Sequence, residues 1–215
     1  EGEMLKAFLD IIQDADVLSG WNSEGYDIPY VINRIQKVLS KDDTRKLCLW
    51  KQLPKKRVFE RFGREQETYD LVGRVHLDSL ELYRKYTYEE RHSYRLDAIG
   101  EHELGEKKTV YEGSLDQLYN QDFRTFVEYN RQDVNLIDKL DRKLKFIALT
   151  NELAHANTVL LQTTLGAVAV TEQAIINEAH RRGVQVPNRP KRDSDSTTAA
   201  GAYVAFPKKG LHDWI

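Results

Sequence analysis

Two aspartates in contrasting settings constrain what this chain can fold into. Asp27 follows a short apolar run, residues 17–21, and opens an amphipathic segment. Asp133 lies inside a long helical pattern, on the stripe that is predicted to be buried. A carboxylate on a buried stripe is costly unless it is paired or binds a metal. The two aspartates are about a hundred residues apart, with Tyr129 four residues before the second. Together they suggest metal-dependent phosphodiester chemistry, which requires that both reach one site.

The spacing of apolar residues predicts alternating helices and short strands, which is the pattern of an α/β chain. Gly63 and Arg64 separate two strand-like segments and predict a β-hairpin. Pro29 suits the first turn of the helix that begins near Asp27, and Gly183 is a helix stop signal. Helices are predicted over 3–15, 27–39, 123–144 and about 158–182, and strands over 17–21, 57–62, 67–72 and 75–77.

The composition is ordinary for a soluble protein and limits the classes of partner. Hydrophobic residues make up 40% and charged residues 31%, and 215 residues allow one large domain. The net charge is −2, so any contact with DNA must come from local basic patches such as 51–64 and 181–192. No apolar run has the length of a membrane span, so no membrane partner is expected.

Cysteine, histidine and the chain ends carry three further expectations. Cys48 is the only cysteine, which excludes an internal disulfide framework and a cysteine zinc site and fits a reducing cytoplasm. The chain starts at Glu1 without a methionine and stops at Ile215, so we expect it to be a piece of a longer protein. The histidines have no metal-ligand spacing and most are expected at the surface: His76, His92, His102, His155, His180 and His212.

Asp27 has two interpretations that the sequence leaves open. An aspartate just before a helix, with proline in the first turn, is a common N-cap residue, so one interpretation is purely structural. The other is a metal ligand, because ligands often bind where a strand ends and a helix starts in α/β sheets. The two roles are compatible with each other.

Asp133 lies on a helical face with Phe126, Asn130 and Ile137. Tyr129 is offset from Asp133 by about 40° around the helix, so both side chains can point at one spot. The structural interpretation is a partly buried aspartate that pairs with a neighbouring arginine. The functional one is a carboxylate ligand with a tyrosine hydroxyl beside it. Mg²⁺ prefers such oxygen ligands, and a pair of cations can activate water and stabilise the leaving oxygen of a phosphodiester.

Two motifs in this chain resemble the exonuclease motifs of family B DNA polymerases. Asn22, three intervening residues and then Tyr26-Asp27 resemble the second motif. Tyr129, three residues and then Asp133 resemble the third, in the right order and at a suitable separation. Further resemblances, which extend the likeness to tailed-bacteriophage replicative polymerases over nearly the whole chain, are at 93–97, 104–105, 201–204, 207 and 210–211.

The resemblance implies a partial RNase H-like α/β exonuclease domain with a β-hairpin insertion, followed by a helical segment. Its expected boundaries are 1–149 for the 3′–5′ exonuclease domain, 150–200 for the helical segment and linker, and 201–215 for the start of the polymerase palm. The implied activity is proofreading, the removal of mispaired 3′-terminal nucleotides during DNA replication.

The resemblance also implies roles for individual residues. It assigns Asp27 and Asp133 to metal binding and Tyr129 to positioning the attacking water. The expected cofactor is Mg²⁺ or Mn²⁺ in a two-metal site. The resemblance further implies DNA contacts, in which Asn22 and Tyr26 shape the pocket around the primer end and the hairpin helps to separate the strands. The DNA-contacting residues are predicted to be Asn22, Tyr26, Arg57 and Arg64.

The implied partners are the single-stranded primer 3′ end and, for the parent polymerase, deoxynucleotides. We expect a monomer in the cytoplasm, that of an infected bacterium if the gene belongs to a phage. The first exonuclease motif is expected before residue 1 and the palm aspartates after residue 215, so the piece alone is predicted to be inactive. Two alternatives stay open: a stand-alone four-carboxylate exonuclease of the tyrosine-containing type, and a DNA-binding module without catalysis. The flanking sequence would separate them.

Overall fold

The computed structural model describes residues 1–61, 64–106 and 113–188, with positions 201, 206, 209 and 210, and describes their side chains except at 59–61, 64 and 66. Its helices are α1 Gly2–Ile11, α2 Asp27–Val38, α3 Ser79–Tyr86, α4 Leu96–Leu104, α5 Leu115–Gln121, α6 Phe123–Leu144, α7 Phe146–Asn157 and α8 Ala167–Arg181. Its strands are β1 Val17–Gly20, β2 Lys55–Arg61, β3 Arg64–Asp70 and β4 Val75–Asp78, and short 3₁₀ helices cover Asp42–Leu47 and Leu161–Leu165. The predicted α/β class is confirmed.

The described strands form two small sheets of different kinds. β1 pairs with β4 in parallel, from Val17 opposite Val75 to Gly20 opposite Asp78. β2 and β3 form the predicted antiparallel hairpin, and its pairing closes with Arg61 opposite Arg64. Because β1 and β4 run in the same direction, the loops that leave their carboxyl ends start side by side.

Two hydrophobic clusters support these sheets. The first joins α1, α2 and the first 3₁₀ helix, and its buried members are Leu5, Leu9, Ile12, Ile32, Ile35, Leu47, Cys48 and Leu71. The second contains Tyr83, Ile99 and Leu140 from α3, α4 and α6. Gly100 explains how closely α4 and α6 approach, because a Cβ there would lie 2.7 Å from Cδ2 of Leu136. This packing fixes the helix that carries Asp133.

The C-terminal helices differ from the sequence-based prediction. A helix was predicted from about 158, but α7 already spans Phe146–Asn157 and α8 starts only at Ala167. Lys145 and Thr158 have positive φ angles of 55° and 52°, which end α6 and α7. The end of α6 at Leu144 agrees with the predicted helix over 123–144, whereas α7 and its end at Thr158 were missed, because Thr158 carries no turn signal. The stop at Gly183 is confirmed, with φ of 70° after α8.

Several predicted features extend beyond the described residues. The segment 201–215, which resembles the start of the palm, lies outside them apart from Gly201, Phe206, Lys209 and Gly210, and His212 lies outside as well. Residue 149, the predicted domain boundary, lies within α7, and the domain division stays a prediction. Within the described part of the chain, no helix combines the length and apolar character needed to cross a bilayer.

Candidate active site

A cavity of about 790 Å³ lies between α1, β1, α2 and α6. Asp27 and Asp133 both line it, although they are far apart in sequence. Apolar side chains such as Leu18, Val31 and Ile137 form much of its wall. The structure therefore brings the two predicted carboxylates to one concave site, which is the common setting of ligand and active sites.

Asp27 is the first residue of α2, where the chain enters the helix from the β1–α2 loop. The N-cap position belongs to Tyr26, which makes no side-chain capping bond. Asp27 is exposed overall, yet partial burial of its carboxyl group raises the pKa of this side chain. Since burial disfavours the charged carboxylate, a cation beside it would stabilise that form. This environment suits a metal ligand, and the role itself stays a prediction.

Asp133 is half-buried on the face of α6 that lines the cavity together with Asn130 and Ile137. The expectation of a buried stripe is wrong in part, because Asn130 is exposed and this face borders the cavity. The buried residues of α6 are Leu136 and Leu140, on a neighbouring face. The hydrophobic periodicity had indicated the right side of the helix for Asp133, but it could not distinguish a core from a cavity.

The remaining motif residues, Asn22, Tyr26 and Tyr129, do not belong to the described lining of the cavity. Tyr129 is half-buried on α6, one turn before Asp133. Tyr26 is 63% exposed and stacks on Tyr30, with ring centroids 5.8 Å apart. Asn22 is exposed and has a positive φ of 57°. Their predicted roles in water positioning and DNA contact stay predictions.

The expectation that most histidines lie at the surface is confirmed for His92, His102, His155 and His180, which are exposed. His76 is the exception among the described histidines, because it is half-buried and lines the cavity. Its Nε2 lies 2.9 Å from Oγ of Ser23 in the β1–α2 loop. Burial lowers the pKa of His76 to about 4, so the ring is neutral at neutral pH. Side chains alternate between the two faces of β4, and His76 is on the face that borders the cavity. A single histidine in a strand pattern does not predict a contact with Ser23.

The hairpin is attached to the same loop through Glu24. The hydroxyl of Thr68 donates a hydrogen bond of 2.9 Å to the backbone carbonyl of Glu24. The guanidinium of Arg57 forms ion pairs with the carboxylates of Glu24 and Asp70. Arg57 is half-exposed, and its predicted contact with DNA remains untested; Arg64 begins β3, and its side chain lies outside those described.

Asp27 and Asp133 share the cavity with two further carboxylates. Asp138 and Asp141 also line it, but Asp138 pairs with Arg142 at 2.8 Å and Asp141 accepts the N–H of Ile147 at 3.2 Å. Among the described residues, no group of three or more acidic, histidine or cysteine side chains could hold a metal ion. The carboxylates of Asp27 and Asp133 are oxygen donors of the type that Mg²⁺ prefers, and their binding of a cation stays a prediction.

Comparison with known proteins identifies polymerases as relatives. A family profile described as DNA polymerase family B, exonuclease domain, matches residues 1–99. The DNA-directed DNA polymerase of Escherichia phage RB69 is 28% identical over 217 residues, covering 100% of this chain and 24% of the relative. That of Enterobacteria phage T4 is 24% identical over 210 residues, covering 97% and 23%. The DNA polymerase delta catalytic subunit of Bos taurus is 30% identical over 228 residues, covering 99% and 20%.

These matches confirm the resemblance that the motifs had indicated. The chain spans about a quarter of the length of the two phage polymerases, and the alignments continue through the helical region beyond residue 99. Residues 1–99 match the exonuclease domain of family B DNA polymerases, and the chain along nearly all its length is similar to a stretch of the phage polymerases.

Proposed function

We propose that this chain supplies two metal-binding carboxylates, Asp27 and Asp133, to the 3′–5′ proofreading site of a replicative DNA polymerase. The observation that carries the proposal is that both carboxylates line one cavity. They come from different elements, the start of α2 and the middle of α6. The family match over residues 1–99 supports the same chemistry for Asp27.

The proposed reaction is hydrolysis of the last phosphodiester bond of a primer strand. The oxygen of a water molecule attacks phosphorus, the bond from phosphorus to the 3′ oxygen breaks, and that oxygen leaves as the new 3′ hydroxyl. Bound Mg²⁺ or Mn²⁺ would lower the pKa of the attacking water and stabilise the leaving oxygen. In this chain Asp27 and Asp133 would hold the cation, and the Tyr129 hydroxyl would orient the water. The released product is a nucleoside monophosphate.

Two carboxylates are too few for a complete two-metal site. Mg²⁺ takes octahedral coordination, usually with several waters and more than one anionic ligand. We infer that the first exonuclease motif, expected before residue 1, supplies the missing carboxylates. The partners would then be a single-stranded primer end and, in the whole polymerase, deoxynucleotides and template. We further infer a monomer that acts in the cytoplasm, that of an infected bacterium if the gene is phage-encoded.

The test uses the longer polymerase that carries this chain. Asp133→Ala should abolish 3′–5′ excision, because loss of one ligand disrupts the metal site, and leave nucleotide addition largely intact. Glu128→Ala is the matched control, since Glu128 is an exposed acidic residue of the same helix that pairs with Arg131. Both activities are measured on a labelled primer–template with Mg²⁺.

The result also separates the alternatives. Excision at nearly the wild-type rate in Asp133→Ala would assign Asp133 a structural role. A wild-type polymerase that binds single-stranded DNA but never excises a nucleotide would support the interpretation as a DNA-binding module without catalysis. Excision without any nucleotide addition in the longest natural form would support a stand-alone exonuclease.

A further inference from the structure

Asp78 is a buried carboxylate whose hydrogen bonds connect β4 to the loop that carries the second exonuclease motif. It ends β4 and is 4% exposed. Its Oδ1 accepts the backbone N–H of Asn22 at 2.9 Å and that of Leu80 at 2.9 Å, and its Oδ2 accepts the N–H of Glu24 at 3.0 Å. One side chain therefore caps α3 and holds two backbone positions of the β1–α2 loop.

The sheet register explains why Asp78 can reach this loop. Gly20, the last residue of β1, is directly opposite Asp78, so the chain leaving β1 passes over the carboxylate. The turn is tight, because a Cβ at Gly20 would lie 2.8 Å from Cβ of Ser23. Asp27 follows Glu24 by three residues. The backbone amides of Asn22 and Glu24, which Asp78 holds, therefore lie just before the proposed metal ligand Asp27.

The hydrogen bonds of Asp78 suit a residue that holds the β1–α2 loop in place, and they do not suit a metal ligand. Both oxygens already accept backbone N–H groups, and hydrogen bonds from three amides stabilise a carboxylate that burial alone would disfavour. Asp78 is also absent from the described lining of the cavity. Catalytic groups must be held to about 0.5 Å by such supporting contacts.

We propose that Asp78 is a positioning residue, which sets the position of the Asp27 carboxylate by clamping the backbone of the β1–α2 loop. This inference rests on the proposed exonuclease function. Residues that orient metal ligands typically change metal affinity or activity by about 10-fold to 100-fold when they are replaced. We expect an effect of that size on excision and none on nucleotide addition.

Asp78→Asn separates the clamp from the helix cap. Asparagine is as good an N-cap as aspartate, so its oxygen can still accept the N–H of Leu80. Its amide nitrogen cannot accept the N–H of Glu24, so this contact of the clamp is lost, while Oδ1 can still accept the N–H of Asn22. Asp78→Ser also retains a capping side chain but is too short to hold both loop amides. Asp122→Asn is the matched control, because Asp122 caps α6 by accepting hydrogen bonds from the backbone N–H and the hydroxyl of Thr125, far in sequence from the β1–α2 loop.

The experiment measures single-turnover excision of a labelled single-stranded oligonucleotide by the whole polymerase over a range of Mg²⁺ concentrations. The temperature is kept well below the melting midpoint of every variant. Asp78→Asn and Asp78→Ser should excise about 10-fold to 100-fold more slowly at limiting Mg²⁺ and need more Mg²⁺ for half-maximal rate. High Mg²⁺ or Mn²⁺ should recover part of the rate. Asp122→Asn should retain the wild-type metal dependence.

The outcomes distinguish this inference from the proposed function. If Asp78 were merely structural, its replacement would lower the melting midpoint of the polymerase but leave unchanged the Mg²⁺ concentration that gives half-maximal excision. That result, in whichever Asp78 variant retains nucleotide addition, overturns the positioning role. If Asp27→Ala abolishes excision while both Asp78 variants behave as wild type, only the positioning role fails. If Asp27→Ala still excises at the wild-type rate, the proposed function fails, and the positioning role fails with it.

Discussion

Asp27 and His76 show how burial shifts the pKa values of side chains around the cavity. Partial burial raises the pKa of Asp27, and stronger burial lowers the pKa of His76 to about 4. In both cases the neutral form is favoured because charged groups lose hydration. A bound cation would reverse this effect at Asp27, whereas the neutral ring of His76 is already satisfied by its contact with Ser23. The same physical cause therefore favours a ligand at one residue and a structural contact at the other.

The titration of His76 predicts a loss of stability at acidic pH. In the unfolded chain His76 binds a proton below its ordinary pKa of 6.5, whereas in the folded chain it does so only near pH 4. The free energy of unfolding should therefore fall as the pH drops from 6.5 to 4, by about 3 kcal/mol in all. His76→Gln should remove this part of the pH dependence. Chemical denaturation of the purified chain at several pH values measures it, with the exposed His155→Gln as control.

A His76→Gln curve parallel to that of the wild type between pH 6.5 and 4 would contradict the prediction. It would mean that the ring titrates normally in the folded chain, and hence that water reaches it.

The hairpin formed by β2 and β3 is joined to the β1–α2 loop by two contacts of different strength. Thr68 is 1% exposed, and its hydroxyl satisfies the backbone carbonyl of Glu24. The ion pair between Arg57 and Glu24 is partly exposed to solvent. A buried polar group that loses its partner costs more than an exposed ion pair contributes. The element is thus anchored mainly by the hydroxyl.

Thr68→Val should destabilise the chain more than Arg57→Gln does. The valine leaves the carbonyl of Glu24 without this donor, at a cost of about 1–3 kcal/mol. The exposed ion pairs of Arg57 with Glu24 and Asp70 each contribute between nothing measurable and about 1 kcal/mol. The two variants are matched, since both loosen the same hairpin from the same residue. Urea unfolding of each gives the free energies; an equal or larger loss for Arg57→Gln would show that the charges dominate.

At the scale of the whole molecule, the described chain holds a partial site and a surface of little net charge. Asp27 and Asp133 share a cavity, and neither Asp78 nor Asp97 belongs to its described lining. Asp78 is engaged by three backbone amides, and Asp97 accepts the N–H of Ala98. The net charge of −2 gives no overall attraction to phosphates.

The purified chain should therefore show little or no nuclease activity with Mg²⁺ or Mn²⁺, and only weak, salt-sensitive binding to single-stranded DNA. A divalent ion with few protein ligands keeps most of its waters and its mobility. Incubation with an oligonucleotide labelled at its 5′ end measures shortening from the 3′ end. Robust metal-dependent shortening that disappears in Asp27→Ala would show that carboxylates within this chain complete the site.

The sequence by itself determined the local elements and the two motif aspartates. Strand β1, the start of α2, the β2–β3 hairpin and the long α6 were predictable because apolar periodicity and turn residues act over short distances. Tertiary structure alone decided the burial of His76 and the amide contacts of Asp78. Each of these depends on groups from distant segments, as when β1 and β4 pair in parallel and bring residues 22 and 78 together. Local patterns carry no information about such neighbours, so the cavity and its supporting contacts became visible only in the folded chain.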